Sequence, residues 1–147
     1  MDNLACLSSF FYSYCFSTVF LVYLIKLPFL LTRETDIVNE YYGKKFVSSF
    51  LTDLLLILIY LLIAYFVVYM FKITLFANKL LVVAVTTMIL TGSFMLYFTS
   101  REKTNKFWSR WFHLSKYKSV IYDVILVSFV YIIYQYLYYI SQSNKIV

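Results

Sequence analysis

Four long apolar runs divide the 147-residue chain into candidate membrane spans and loops. They cover residues 4–25, 50–71, 80–98 and 120–140. A helix needs about 20 consecutive apolar residues to cross the hydrocarbon core of a bilayer, and each run reaches or nearly reaches that length. The pattern therefore predicts an all-α, polytopic membrane protein with four transmembrane helices.

Composition supports a single membrane domain over residues 1–147. Hydrophobic residues make up 63% of the chain and charged residues 14%, which excludes an ordinary soluble domain. The four runs leave too little chain for a second domain. Glycine and proline are scarce, and Pro28 lies between two runs. We therefore expect plain, continuous helices without the broken segments that transporters use at ion sites.

Basic residues are distributed unequally among the loops. The long loops, residues 26–49 and 99–119, contain Lys26, Arg33, Lys44, Lys45, Arg101, Lys103, Lys106, Arg110, Lys116 and Lys118. The other side of the membrane would carry only Lys72, Lys79 and Lys145. The positive-inside rule therefore places both long loops in the cytoplasm, or in the matrix of a mitochondrial inner membrane, and both termini on the opposite side.

The second long loop predicts an amphipathic helix over residues 104–118. A helical wheel places apolar residues on one arc and basic residues on the other. The apolar arc comprises Phe107, Trp108, Trp111, Phe112 and Leu114, and the basic side comprises Lys106, Arg110, His113 and Lys116. Such a helix is typical of the headgroup level of a bilayer, where it anchors the protein to anionic lipid or docks another protein. The candidate interface residues are Phe107, Trp108, Arg110, Trp111, Phe112 and Lys116.

The first long loop shares a pattern with the second. Its residues Ile37, Val38, Tyr41 and Tyr42 match Phe107, Trp108, Trp111 and Phe112 in spacing. Each loop is followed by a run that carries one carboxylate near its start, Asp53 or Asp123. An internal duplication and a chance match both explain this similarity. Acidic residues nearly balance the bases of the first loop, which favours protein contact over lipid attraction there.

Asp53 and Asp123 need an explanation, because a carboxylate inside hydrocarbon is costly unless it is paired or hydrated. On a helical wheel Asp53 shares a face with Tyr60 and Ala64, and Asp123 shares one with Tyr131, Tyr134, Gln135 and Tyr138. The candidate intramembrane polar residues are Asp53, Asp123, Tyr131 and Gln135. One hypothesis is a proton pathway. The favoured one is structural: these faces pack on other helices, and the tyrosine hydroxyls satisfy the carboxylates or each other.

Small residues predict close helix packing. Ser9, Ser13 and Ser17 recur at every fourth position of the first run, and Ala84, Thr87 and Thr91 form a similar ridge in the third. Cys6 and Cys15 are too far apart on one helix to form a disulfide.

No motif predicts chemistry. His113 is the only histidine, and the sequence contains no catalytic triad, metal-ligand spacing or phosphate-binding glycine loop. We therefore predict no enzymatic activity, no cofactor, no metal, no nucleic-acid partner and no small-molecule substrate, and we expect no concave pocket with convergent polar groups.

The C-terminal part of the chain resembles a viral group. The segment from Phe107 to Phe112, the segment from Lys118 to Asp123 and the tyrosine-rich last run are similar to small multi-spanning membrane proteins of nucleocytoplasmic large DNA viruses. The resemblance implies a protein of the virion's internal membrane whose loops hold bilayer and capsid together. It supplies no catalytic residues.

These observations predict a non-catalytic scaffold or anchor subunit of a larger assembly. Its partners would be the bilayer, including anionic lipid, and other protein subunits. Two alternatives remain open: an accessory subunit of a respiratory-type complex in an organelle membrane, and a small ion or proton channel that uses Asp53 and Asp123.

Overall fold

The computed structural model of the chain describes residues 3–143, with side chains from Cys6 onward. Most of these residues are helical and none of them lies in a strand, so the predicted all-α class is confirmed. The α-helices in this part of the chain are α1 (Asn3–Thr18), α2 (Leu27–Thr32), α3 (Thr35–Asn39), α4 (Phe46–Met70), α5 (Phe76–Thr99), α6 (Phe107–Ser115) and α7 (Tyr117–Ser143). The π-helical segments Val19–Leu24 and Glu40–Lys44 follow α1 and α3.

Among the described residues, four helical segments are long and apolar enough to cross a membrane. They are Cys6–Leu24, Phe46–Met70, Phe76–Thr99 and Tyr117–Ser143. The four predicted spans are therefore present, and the chain is a multi-pass integral membrane protein. Three of the helices begin three or four residues before the predicted run. Their first turns contain polar residues, such as Ser48 and Ser49, which end an apolar run in the sequence but are helical in the structure.

The first span is not the plain rod that the scarcity of glycine and proline predicts. Its last turns are π-helical over Val19–Leu24, and the amide of Ile25 donates to the carbonyl of Phe20 at 2.9 Å, five residues earlier. Lys26 then adopts a left-handed conformation with φ 56°. Pro28 lacks an amide hydrogen and disfavours helix in the residue before it, so a straight continuation into α2 is blocked.

Helix α7 lies at the centre of the bundle and packs against α1 on one side and α5 on the other. The predicted ridge on α1 is buried: Ser13 and Ser17 have no exposed surface and Ser9 has almost none. On α5, Thr87 and Thr91 are also fully buried. Helix α4 packs mainly on α5. The small residues therefore form the seams that the sequence predicts.

Large apolar side chains cover the outward faces of the bundle. On α4 these include Leu55, Ile59, Leu62 and Phe66. A soluble protein rarely exposes a continuous apolar surface of this extent, whereas lipid tails solvate it without cost. The outward faces therefore agree with a bundle surrounded by lipid.

The two long loops fold together over one end of the bundle. We call residues 25–45 and 100–116 the cap; it contains α2, α3, the π-helical segment Glu40–Lys44 and α6. The ammonium group of Lys118, in the first turn of α7, donates to the carbonyl of Thr32 at 3.2 Å and attaches the first loop to the bundle. Both loops therefore lie on the same side, as the distribution of basic residues predicts.

Candidate functional site

An ion pair joins the two halves of the cap. Nη2 of Arg110 on α6 lies 2.7 Å and 2.8 Å from the two carboxylate oxygens of Glu40, and Nζ of Lys45 lies 2.8 Å from one of them. Hydrogen bonds from Arg110, and then from Lys45, lower the pKa of the Glu40 carboxyl from 4.5 to about 2. Glu40 is therefore ionised over the whole physiological pH range.

Aromatic rings continue this contact beneath the ion pair. The ring of Tyr41 stacks on Phe107 with centroids 4.9 Å apart, and it lies 5.6 Å from Trp108 and 5.7 Å from Trp111. Offset and edge-to-face arrangements at these distances are favourable beyond the area that they bury. The aromatic patterns that resemble each other in the two loops thus pack against each other, although this contact leaves the duplication hypothesis untested.

The aromatic arc of the second loop faces the protein's own core, whereas the sequence predicts that it faces lipid or a partner. The helix there spans Phe107–Ser115, shorter than the predicted 104–118, and Lys116 ends it with φ 48°. Trp111 and Phe112 are each 5% exposed, and Phe107 and Trp108 are half-buried. The prediction that Trp111 faces lipid or a partner is therefore wrong, because the first loop supplies the aromatic partners that a helical wheel cannot show.

Hydroxyl groups from the cap hold Asp53. The hydroxyl of Tyr41 donates to one carboxylate oxygen of Asp53 at 2.6 Å, and the hydroxyl of Tyr42 donates to the other at 3.2 Å. Burial, and then the nearby charge of Asp53, raise the pKa of Tyr41 and Tyr42 far above the usual range, so both remain protonated donors. Asp53 therefore accepts hydrogen bonds through both of its oxygens.

A similar arrangement holds Asp123 on α7. The hydroxyl of Thr91 on α5 donates to Asp123 at 2.9 Å and also lies 3.4 Å from the hydroxyl of Tyr60 on α4. The hydroxyl of Tyr122, next to Asp123, shares a 2.7 Å hydrogen bond with Tyr42. Tyrosine hydroxyls bind Asp53, as the sequence predicts, whereas the donor to Asp123 is a threonine. The hydrogen-bond donors come from the cap and from α5. Of the tyrosines that the helical wheel places on the same face as an aspartate, Tyr60 lies at this site.

The two carboxylates border one cavity of about 240 Å³ beneath the cap. Rings from the cap (Tyr41, Trp108 and Trp111) and from the bundle (Tyr60 and Tyr122) line it together with both aspartates. The sequence predicts no concave pocket with convergent polar groups, and this expectation is wrong. The cavity forms because the cap closes over helix ends that the sequence alone does not bring together.

The carboxylates lie farther from the starts of their helices than predicted. Asp53 is the eighth residue of α4 and Asp123 the seventh of α7, which places them roughly 9–10 Å along their helices from the cap end. The sequence places each near the start of its apolar run, as the fourth residue of 50–71 or of 120–140. Both helices begin earlier than the apolar runs, so each aspartate is about two turns inside.

Other predicted residues lie elsewhere. Tyr131 packs against Phe76, with ring centroids 6.1 Å apart, and neither Tyr131 nor Gln135 borders the cavity. The ring nitrogens of His113 lie 2.7 Å from the Ser109 carbonyl oxygen and 3.1 Å from that of Arg101. His113 therefore ties the start of the second loop to α6, a contact that its place among the basic residues of the helical wheel does not predict.

The described residues offer no metal centre and no disulfide. From residue 3 to residue 143, no group of three or more His, Cys, Asp or Glu side chains could hold a metal ion. Cys6 and Cys15 are both free, as their spacing predicts. The thiol of Cys6 lies 3.1 Å from the hydroxyl of Tyr134, a contact between α1 and α7.

The sequence does not identify Thr91, Tyr41, Tyr42 or Tyr122 as parts of this site. Thr91 belongs to a predicted packing ridge, and the two loop tyrosines belong to the spacing pattern that the two long loops share. One signal was available: an aspartate in a span needs hydroxyl or amide donors, and consecutive tyrosines precede α4 by a few residues.

In comparisons with known proteins, no protein-family model, no curated protein and no solved structure matches this chain.

Proposed function

We propose that this protein is a non-catalytic membrane scaffold that binds another subunit of a larger assembly through its cap. In the setting that the viral resemblance implies, the assembly is a virion with an internal membrane and the partner belongs to the capsid. The observation that carries the proposal is the joining of two basic loops into one surface at one end of the bundle.

The cap has a strong positive charge. It contains nine Lys and Arg residues against four acidic residues, a net charge of +5. Eight of the nine bases are exposed: Lys26, Arg33, Lys44, Lys45, Arg101, Lys103, Lys106 and Lys116. The ninth, Arg110, is half-buried against Glu40. A surface of this charge favours a partner with acidic side chains or anionic lipid headgroups.

The cap is held in place by contacts between segments far apart in the chain. Arg110 binds Glu40, Tyr41 stacks on Phe107, and Lys118 donates to the carbonyl of Thr32. A surface fixed in this way loses little conformational entropy when a partner binds, which is the property that a scaffold requires.

Helix α6 supports attachment to the bilayer surface. It lies at the end of the bundle, with Trp108 half-buried and Leu114 exposed at its edge. We place it at the headgroup level, where tryptophan is favoured and Lys106 and Lys116 can reach anionic phosphates. The amphipathic helix then contributes less apolar surface to the bilayer than the sequence predicts, since Trp111 and Phe112 are buried.

Site-specific photocrosslinking tests the proposal. A photoreactive amino acid is placed at Lys103 in the cap, and a matched one at Lys72 in the short connection between α4 and α5; both positions are exposed. We expect a distinct partner chain to crosslink in fixed stoichiometry from position 103 and to be absent from position 72. Reversal of two other exposed cap charges, with Lys44→Glu and Lys106→Glu, should reduce the crosslink from position 103 while thermal unfolding stays unchanged.

The identity of the crosslinked chain separates the alternatives. A capsid protein supports the virion setting, whereas a redox subunit would identify an accessory role in an organelle membrane. A crosslink to copies of this chain alone, or an isolated monomer at native expression level, would overturn the scaffold proposal.

A further inference from the structure

The geometry points to the cavity beneath the cap as a binding site for an alkylammonium group, such as the choline or ethanolamine of a lipid headgroup. This inference concerns a ligand inside the bundle and stands independently of the subunit contact proposed for the outer surface of the cap.

The carboxylates that border the cavity have no ionic partner. Across residues 6–143, the ion pairs involve Glu40 with Lys45 and Arg110, and neither Asp53 nor Asp123 takes part in one. Both aspartates receive hydrogen bonds only from neutral hydroxyl groups, of Tyr41, Tyr42 and Thr91, and both retain partial exposure. Carboxylates at this depth are stabilised by an opposite charge, and a bound cation supplies one.

Aromatic rings determine which cation fits. Tyr41, Tyr60, Trp108, Trp111 and Tyr122 border the same space as the two carboxylates. Rings of this kind attract quaternary and primary ammonium groups through their negative faces, and aromatic cages are a recurrent site for choline and methylated amines. A hard metal ion would instead require several converging oxygen ligands, and most of this lining is aromatic.

The size of the cavity agrees with a headgroup. At about 240 Å³ it is smaller than the roughly 300–1,000 Å³ of pockets that hold drug-sized ligands. A nucleotide is too large for this volume, whereas a small ammonium group with a short alkyl arm fits it.

The position of the opening agrees with entry from the membrane. Most of the lining residues that remain partly or largely exposed lie on α4 and α5: Thr52, Asp53 and Leu56 on the first, Phe94 and Phe98 on the second. Trp108 on α6 and Asp123 on α7 are also partly exposed. The mouth is therefore on the α4–α5 side of the bundle, roughly two helical turns from the cap end of α4. A lipid headgroup can reach this depth at the boundary of the bilayer, and a free amine of the same chemistry can reach it from water.

Tryptophan fluorescence gives a direct test. The chain has only two tryptophans, Trp108 and Trp111, and both border the cavity. Purified protein in a non-ionic maltoside detergent is titrated with choline and, as the matched neutral molecule, with 3,3-dimethylbutan-1-ol. We expect a saturable change in emission with choline and an affinity for the neutral analogue that is lower by at least about tenfold.

Two variants and one control test whether the change in tryptophan emission depends on the carboxylates. Asp53→Asn and Asp123→Asn should each weaken choline binding by about tenfold or more, because the neutral amide cannot pair with the cation. Asp36→Asn, which removes an exposed acid of the cap, should leave binding unchanged. Circular dichroism and gel filtration establish that each variant is folded, and the comparison of choline with its neutral analogue needs no variant at all.

A third titration distinguishes the source of the ligand. Dodecylphosphocholine carries the same ammonium group on a lipid-like tail. If the natural ligand is a lipid, it should bind at least about a hundredfold more tightly than choline, because its tail lies along the apolar surface of α4 and α5; equal affinity identifies a free amine. Equal binding of the neutral analogue, an absence of saturable change with either cation, or unaltered binding by both Asn variants would overturn the inference.

Discussion

Arg110 and Glu40 are 70 residues apart in the chain, and their side chains meet at 2.7 and 2.8 Å to join the two long loops. The contact is only partly screened from solvent, since the side chains are 33% and 23% exposed. It is the polar centre of a cap that otherwise consists of short helical turns, stacked rings and exposed bases.

Glu40→Gln should reduce stability by about 0.5–1 kcal/mol at neutral pH, because it removes the charge that Arg110 and Lys45 share. The folded-state pKa of about 2 lies below the ordinary 4.5, so the contribution of Glu40 is fully present above pH 4.5 and is lost as pH falls towards 2. Thermal unfolding in detergent should therefore show the largest difference between wild type and variant above pH 4.5. Glu102→Gln, at an exposed cap position, is the control; a difference that stays constant down to pH 2 would contradict this assignment.

Both loops should be accessible from one compartment. In a background with Cys6→Ser and Cys15→Ser, we expect a cysteine at Lys103 to react with an impermeant maleimide on the cytoplasmic or matrix side, and a cysteine at Lys72 to react on the other side. Both positions are exposed. Reaction of both cysteines from the same compartment would contradict the topology.

Asp123→Asn should leave ion and proton flux unchanged, because neither variant nor wild type is expected to conduct. Beyond the cavity, the centre of the bundle is closed by fully or almost fully buried side chains, including Val83, Val127 and Val130. Vesicles that contain the protein and a pH-sensitive dye should respond to a proton gradient like empty vesicles. A flux in wild type that Asp123→Asn abolishes would instead support the channel alternative.

Lys116→Gly should stabilise the protein by about 1 kcal/mol. Lys116 has φ 48° and ψ −134° at the junction of α6 and α7, a conformation that glycine adopts without steric cost and lysine does not. Lys106→Gly removes the same charge at a position with φ −66°, where glycine relieves no strain, and is expected to be neutral or destabilising. The midpoints of thermal unfolding of both variants and of wild type are measured in the same detergent. A midpoint for Lys116→Gly below that of wild type would contradict the strain argument.

The sequence predicts the features that depend on local pattern and misses those that depend on which surfaces meet. Apolar run length locates the four spans, and the spacing of Ser9, Ser13 and Ser17 locates a seam, because each signal lies within one helix. The burial of Trp111 and the pairing of Tyr42 with Asp53 depend on how the loops fold against each other. A helical wheel gives the face on which a residue lies, and it gives no information about what that face contacts.

The order of synthesis gives the Glu40–Arg110 contact a further consequence. The ribosome adds about 5–20 residues per second. Arg110, which follows Glu40 by 70 residues, is therefore synthesised roughly 4–14 s after it. During that interval the first two spans can enter the membrane. The rings of α6 that pack against Tyr41 have not yet been synthesised. The cap can therefore close only after α4, α5 and α6 have been synthesised. In a chain that stops before Arg110, the first loop has no partner to close against.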